Sequence, residues 1–102
     1  MNYREELRDR QLRLIVQGDL KTSDAKLFEQ KLLMGLEKNH HVLVDMEAVG
    51  FICSSALRGL LAAQQKADEM GDGELVLTHV GEEVMNVFRS TGFQHILTIR
   101  ES

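Results

Sequence analysis

The side chains able to carry chemistry at neutral pH are few. Cys53 is the only cysteine, and it is followed directly by Ser54 and Ser55; the histidines are His40, His41, His79 and His95. No H-x-x-x-H or C-x-x-C spacing occurs, so no zinc site is expected, and one cysteine excludes an internal disulfide. The phosphate-binding loop G-x-x-x-x-G-K-[ST] is missing. Gly71 and Gly73 lack the third glycine of a dinucleotide fingerprint, because Val76 stands in its place. The nucleophile elbow G-x-S-x-G also fails, since Ile52 and Ala56 flank Ser54 where glycines belong. A hydrolase built from Ser54 with His79 or His95 stays open as a minor alternative. Cys53 reads either as a thiol activated beside a helix start or as a small apolar residue in a buried turn.

What gives Ser54 meaning is the element around it. Val42, Leu43 and Val44 form an apolar run expected of a strand covered on both faces. Asp45 and a turn at Gly50 follow, and Cys53-Ser54-Ser55 opens a helix along Ala56, Leu60, Ala63, Ala67 and Met70. Ser54 therefore lies where a strand hands over to a helix. The first N–H groups of a helix lack internal partners and carry the positive end of the peptide dipole. A serine there is either an N-cap or a phosphate acceptor. Gly18-Asp19-Leu20-Lys21-Thr22 follows another strand, and in parallel sheets such ends cluster on one edge. The two loops are expected to be neighbours, with Lys21 either reaching toward Ser54 or simply solvated.

The remaining elements follow from periodicity. Tyr3–Arg8 reads as a weak strand, turning at Asp9-Arg10 into a firmer one over Gln11–Gln17, with which it pairs antiparallel. Thr22, Ser23 and Asp24 are candidate caps for a helix running to about Lys38 through Ala25, Phe28, Leu32 and Leu36, and Asn39-His40 stops it. After Gly71-Asp72-Gly73 comes a strand over Glu74–Thr78, then a short helix through Val84, Val87 and Phe88 ending near Gly92, then a strand over Ile96–Ile99. Strands alternating with helices imply right-handed crossovers and a mostly parallel sheet.

The chain has 102 residues with 43% hydrophobic, which fits a single domain over 1–102 with a modest core. No apolar run reaches the roughly 18 residues of a membrane span and no secretory leader is recognisable, so the expectation is a cytoplasmic protein without direct membrane insertion. A net charge of −4 with scattered basic residues argues against nucleic acid as partner. His40-His41 reads as a solvated loop pair.

Taken together, Gly18-Asp19-Leu20, the block Val44-Asp45-Met46 through Phe51-Ile52-Cys53-Ser54-Ser55-Ala56-Leu57, and Ser90-Thr91-Gly92-Phe93 resemble the STAS domain family, in particular bacterial anti-sigma factor antagonists. The resemblance spans nearly the whole chain. It implies an α/β fold with a mixed, mostly parallel sheet of about five strands and three or four helices packed on it. It also implies a protein that is not an enzyme and needs no cofactor or metal, working by partner switching. Such a protein binds an anti-sigma factor that is often also a serine kinase, frees a sigma factor, is released when phosphorylated, and is reset by a phosphatase. Matching the motif residue by residue makes Ser54 the acceptor, with Ser55 its neighbour. Asp19, Lys21, Thr22, Cys53, Ser54, Ser55 and Arg58 form the expected partner surface on a monomer or weak dimer. Two departures stand out: Cys53 replaces the aspartate usual before the acceptor, and Lys21 stands where an acidic residue is frequent. Many members also continue into a final helix past the last strand. The alternative reading within the family is a STAS subunit of a stress-signalling scaffold or membrane transport assembly without a phosphoswitch.

Overall fold

Two consecutive residues with positive φ, Asp9 at 46° and Arg10 at 68°, set the first feature of the architecture. Positive φ at both positions is the signature of a type I′ turn, whose twist matches that of paired strands. It joins β1 (Asn2–Arg8) to β2 (Gln11–Gln17) in an unbroken antiparallel register from Asn2↔Gln17 to Arg8↔Gln11. The weak strand expected over Tyr3–Arg8 is thus a full-length partner of β2. The computed structural model describes residues 1–101.

Beyond β2, Thr22–Asp24 makes a 3₁₀ turn in which the Asp24 carboxylate accepts the Lys21 N–H at 2.9 Å, and α1 (Ala25–Asn39) follows. The helix stops as expected, with His40 in the left-handed region donating its N–H to the Leu36 carbonyl at 2.9 Å. Then come β3 (His41–Ala48), α2 (Ser54–Glu69), β4 (Glu74–Thr78), α3 (Glu82–Thr91) closed by Gly92 at φ 80°, and β5 (Thr98–Arg100). The last strand is shorter than its apolar run suggests. After Gly92 a second 3₁₀ turn over Phe93–His95 carries on, with the N–H groups of Ile96 and Leu97 both donating to the Phe93 carbonyl at 3.0 and 2.8 Å. Pairing begins only at Thr98, leaving Ile96 47% exposed and Leu97 buried.

The five strands lie in sequence order, with β1 antiparallel to β2 and all other neighbours parallel. Right-handed crossovers that always step in one direction deposit every helix on the same face of a sheet. A single core results, built from Leu12, Leu14 and Val16 of β2, Val42, Val44 and Met46 of β3, Leu75 and Leu77 of β4, and the inner faces of α1, α2 and α3, including Phe28, Leu60 and Phe88. The expectation that Val42–Val44 is covered on both faces holds, at 1%, 3% and 0% exposure, although helices lie on only one of them. Leu43 and its cross-strand neighbour Val76 are buried on the opposite, helix-free face, where polar side chains such as Arg13 and Asp45 share the sheet with them. Two close approaches hold the layers together: a Cβ added at Gly59 would come within 3.1 Å of Glu29 across the α1–α2 contact, and one at Gly35 within 2.7 Å of Leu12. No helix among the described residues is long and apolar enough to cross a membrane.

Candidate functional site

The loops after β2 and β3 are stitched together as anticipated. Leu20 donates its N–H to the Phe51 carbonyl at 2.8 Å, Cys53 donates to the Leu20 carbonyl at 2.9 Å, and Leu20 and Ile52 form a parallel bridge. Gly18 N–H to the Ala48 carbonyl at 3.0 Å anchors the base of the pair. Leu20 and Ile52 point into the core, at 0% and 4% exposure, which fixes the loops on the body of the domain. Alternation then turns Phe51 outward, 51% exposed, beside the helix start. An outward aromatic here is a candidate contact that the sequence reading did not single out, although a Phe-Ile pair with one member inside obliges the other to face out.

At the α2 terminus the N-cap is Cys53, with φ −83° and ψ 166°, and Ser54 is the first helical residue. This corrects the reading of Ser54 as the cap. A capping side chain must belong to the last extended residue, and the bridge to Leu20 makes that residue Cys53. First-turn N–H groups approach the sulfur without completing a capping hydrogen bond, and its side-chain contact is with the Ser55 hydroxyl at 3.6 Å. Burial pushes the Cys53 thiol up, but the Ser55 hydroxyl, the first-turn N–H groups of Ala56 and Ser55 and the Thr22 hydroxyl outweigh it. The thiol ends below its ordinary value. Ser54 is exposed, and no hydrogen bond ties its hydroxyl to another described residue.

The expected partner residues divide around this crest. Thr22, Ser55 and Arg58 line a groove between the starts of α1 and α2, together with Lys26, Glu29 and Gln30. Asp19 and Lys21 line a separate depression with Gln17, Gly18 and Ser23. No hydrogen bond or ion pair joins Lys21 to Ser54 among the described residues.

His79 and His95 do not engage Ser54 either. His95 contacts Gln94 at 3.4 Å, and His79 Nδ1 lies 3.3 Å from the Asp45 carboxylate. The hydrolase alternative therefore has no Ser-His contact to stand on. Asp45, Glu47 and His79 instead meet on the helix-free face, their ligand-capable atoms within 4.8 Å of one another. Arg13 already holds Asp45 Oδ2 at 2.8 Å and the Glu47 N–H donates to Oδ1 at 3.1 Å, so the carboxylate is satisfied by the protein itself. His40 and His41, the expected solvated pair, are part-exposed and face Asp72 and Glu74 at 2.9 and 3.6 Å.

This arrangement, two stitched loops presenting a serine at a helix start, coincides with a match of the STAS domain profile over residues 4–102. The chain belongs to the STAS domain family. Its STAS fold is similar to that of a candidate anti-sigma factor antagonist of Thermotoga maritima, with TM-score 0.87 and 19% identity over 98% of this chain and 86% of that one. An anti-sigma factor antagonist from Mycobacterium paratuberculosis aligns with TM-score 0.83 and 19% identity, covering 96% and 83% of the two chains. The Bacillus cell fate determinant SpoIIAA in its phosphorylated form aligns with TM-score 0.77 and 14% identity, over 99% and 91%. At these identities the likeness is one of fold. Among curated protein sequences none matches this STAS domain.

Proposed function

We propose that this STAS domain is an anti-sigma factor antagonist working in a partner-switching pathway. It binds an anti-sigma factor that is also a serine kinase and lets go when Ser54 is phosphorylated; a phosphatase resets it in the cytoplasm. It acts as a binding protein rather than a catalyst. The observation that carries the reading is Ser54 itself: exposed, first in a 16-residue helix, with its hydroxyl uncommitted. Ser55 is the weaker acceptor, since it is half-buried and its hydroxyl is engaged with Cys53.

The electrostatics of the helix start dictate how such a switch operates. A phosphate on Ser54 brings a charge of about −1.5 to −2 to a terminus that favours anions, so the domain stays folded. The effect falls on the docking surface, where Phe51, Ser54 and the Thr22–Ser55–Arg58 groove meet a partner shaped for the bare hydroxyl. Ser54→Asp is expected to keep the wild-type circular dichroism spectrum and to weaken partner capture by about tenfold or more. A Ser54→Asp protein that captures the kinase as tightly as wild type would sink the mechanism. Mass spectrometry after incubation with the kinase and ATP places the phosphate, and its absence from both serines would leave an antagonist regulated some other way.

A further inference from the structure

The outer edge of β1 carries a pattern that nothing at the Ser54 site uses. Across the two-residue turn Arg8 and Gln11 form the closing hydrogen-bonded pair, and antiparallel ladders alternate. Arg4, Glu6 and Arg8 therefore bond inward to β2, while the N–H and C=O groups of Tyr3, Glu5 and Leu7 point away from the sheet. The strand is exposed along nearly its whole length, its register is free of bulges, and the chain contains no proline to blunt it. The opposite edge, β5, has only three residues. A long, flat edge of this kind is a template for another strand.

The side chains specify which strand. When β1 meets a second β1 antiparallel about Glu5, Arg4 faces the partner's Glu6 and Glu6 faces the partner's Arg4. On the other face Tyr3 meets Leu7, also twice. A shift of two residues in either direction keeps the outward backbone groups paired but sets Arg4 against Arg4 or Glu6 against Glu6. Of these three registers only the one centred on Glu5 is complementary; centring on Leu7 would set Glu6 against Arg8 but leave the backbone groups of Tyr3 unpaired. Glu5, opposed to itself there, already lies 3.3 Å from Lys31 Nζ, which offsets its charge. Tyr3 and Leu7 are 39% and 64% exposed on the helix side of the sheet, and Leu7 borders a groove of about 370 Å³ lined also by Leu12, Met34 and Gly35. In this register the partner's Tyr3 comes to the mouth of that groove, next to the 46% exposed Met34.

We propose that this chain pairs with a second copy of itself through β1, giving a two-fold dimer with one continuous sheet. The contact is isologous and closes on itself, with about six new backbone hydrogen bonds from Tyr3, Glu5 and Leu7. It lies at the sheet edge remote from β4 and β5, and Ser54 belongs to neither strand of the hairpin, so each protomer keeps its own helix start.

Sedimentation velocity of the full chain over a concentration series up to about 1 mM tests it. Wild type is expected to shift from monomer to dimer. Arg4→Glu and Glu6→Arg are each expected to weaken association about tenfold, because each places like charges opposite one another twice. The double variant Arg4→Glu/Glu6→Arg restores the dimer, and mixing the two single variants gives a heterodimer. A chain that stays monomeric throughout, or a dimer indifferent to both reversals, overturns the proposal. Should a variant fail to fold, amide exchange on wild type decides: the Tyr3, Glu5 and Leu7 amides must gain protection as concentration rises, and unchanged protection there overturns it equally.

Discussion

Asp45 ties together parts of the chain that are distant in sequence: Arg13 on β2, the Glu47 backbone and His79 after β4. Burial pushes its carboxyl up, but the Arg13 hydrogen bond, the Glu47 N–H and the nearby His79 pull it further down, so it lies below the ordinary aspartate value. A carboxyl lowered on folding stabilises the native state above its unfolded pKa near 4, and that contribution is lost as pH falls through the folded value. Asp45→Asn should therefore cost about 1–3 kcal/mol at pH 7 and much less near pH 3. Urea unfolding at the two pH values checks this; an equal loss at both would mean that charge is not what matters. Cys53 allows a prediction of opposite sign. Aspartate is a favoured N-cap and the sulfur makes no capping bond, so Cys53→Asp should stabilise the fold by about 0.5–1 kcal/mol in the same assay. That Ser54 sits at a helix start was legible in the residues, but the one-residue offset between cap and acceptor was not. It depends on the backbone bridge between Leu20 and Ile52, which no local propensity encodes. The Asp45–His79 meeting was equally hidden, since it follows from the β3–β4 register that pairs Asp45 with Thr78.

Among the elements, the α2–β4 connection brings backbone closest to a glycine. A Cβ on Gly73 would lie 2.7 Å from the Ala67 carbonyl oxygen and 2.9 Å from its Cα, and backbone cannot give way as a side-chain tip can. Gly73→Ala is expected to lower stability by about 1–3 kcal/mol, read as a drop in thermal midpoint. A neutral result would mean that the turn has room to shift. The hairpin, the three helices and the inner strands were readable because each satisfies one dominant local rule: turn chemistry at Asp9-Arg10, a 3.6-residue stripe, or an apolar run between glycines. β5 was misplaced because apolar residues mark burial rather than pairing. Leu97 is buried at the end of a 3₁₀ turn, and the strand starts one residue later. Burial of Val42–Val44 on both faces was legible for the same reason, but not that one face carries no helix: Leu43 and Val76 look like residues beneath a helix, yet are buried among neighbours within the sheet.

For the molecule as a whole, α3 reaches the common core chiefly through Val84 and Phe88, at 1% and 0% exposure. Phe88→Ala should cost about 3–5 kcal/mol, enough to threaten a domain of this size, and denaturant unfolding measures it. Because the core is single, the loss should appear as one cooperative transition; separate unfolding of α3 and β5 ahead of the rest would contradict that. The strictly sequential strand order has a further consequence, for assembly in time. Every strand joins the one made just before it, so no gap has to be held open for a later segment and each loop closed is short. A chain leaving the ribosome N-terminus first can form its hairpin, lay down β3, then β4, then β5, always extending the newest border. The border of β1 is present from the first step, and no later strand among the described residues pairs with it.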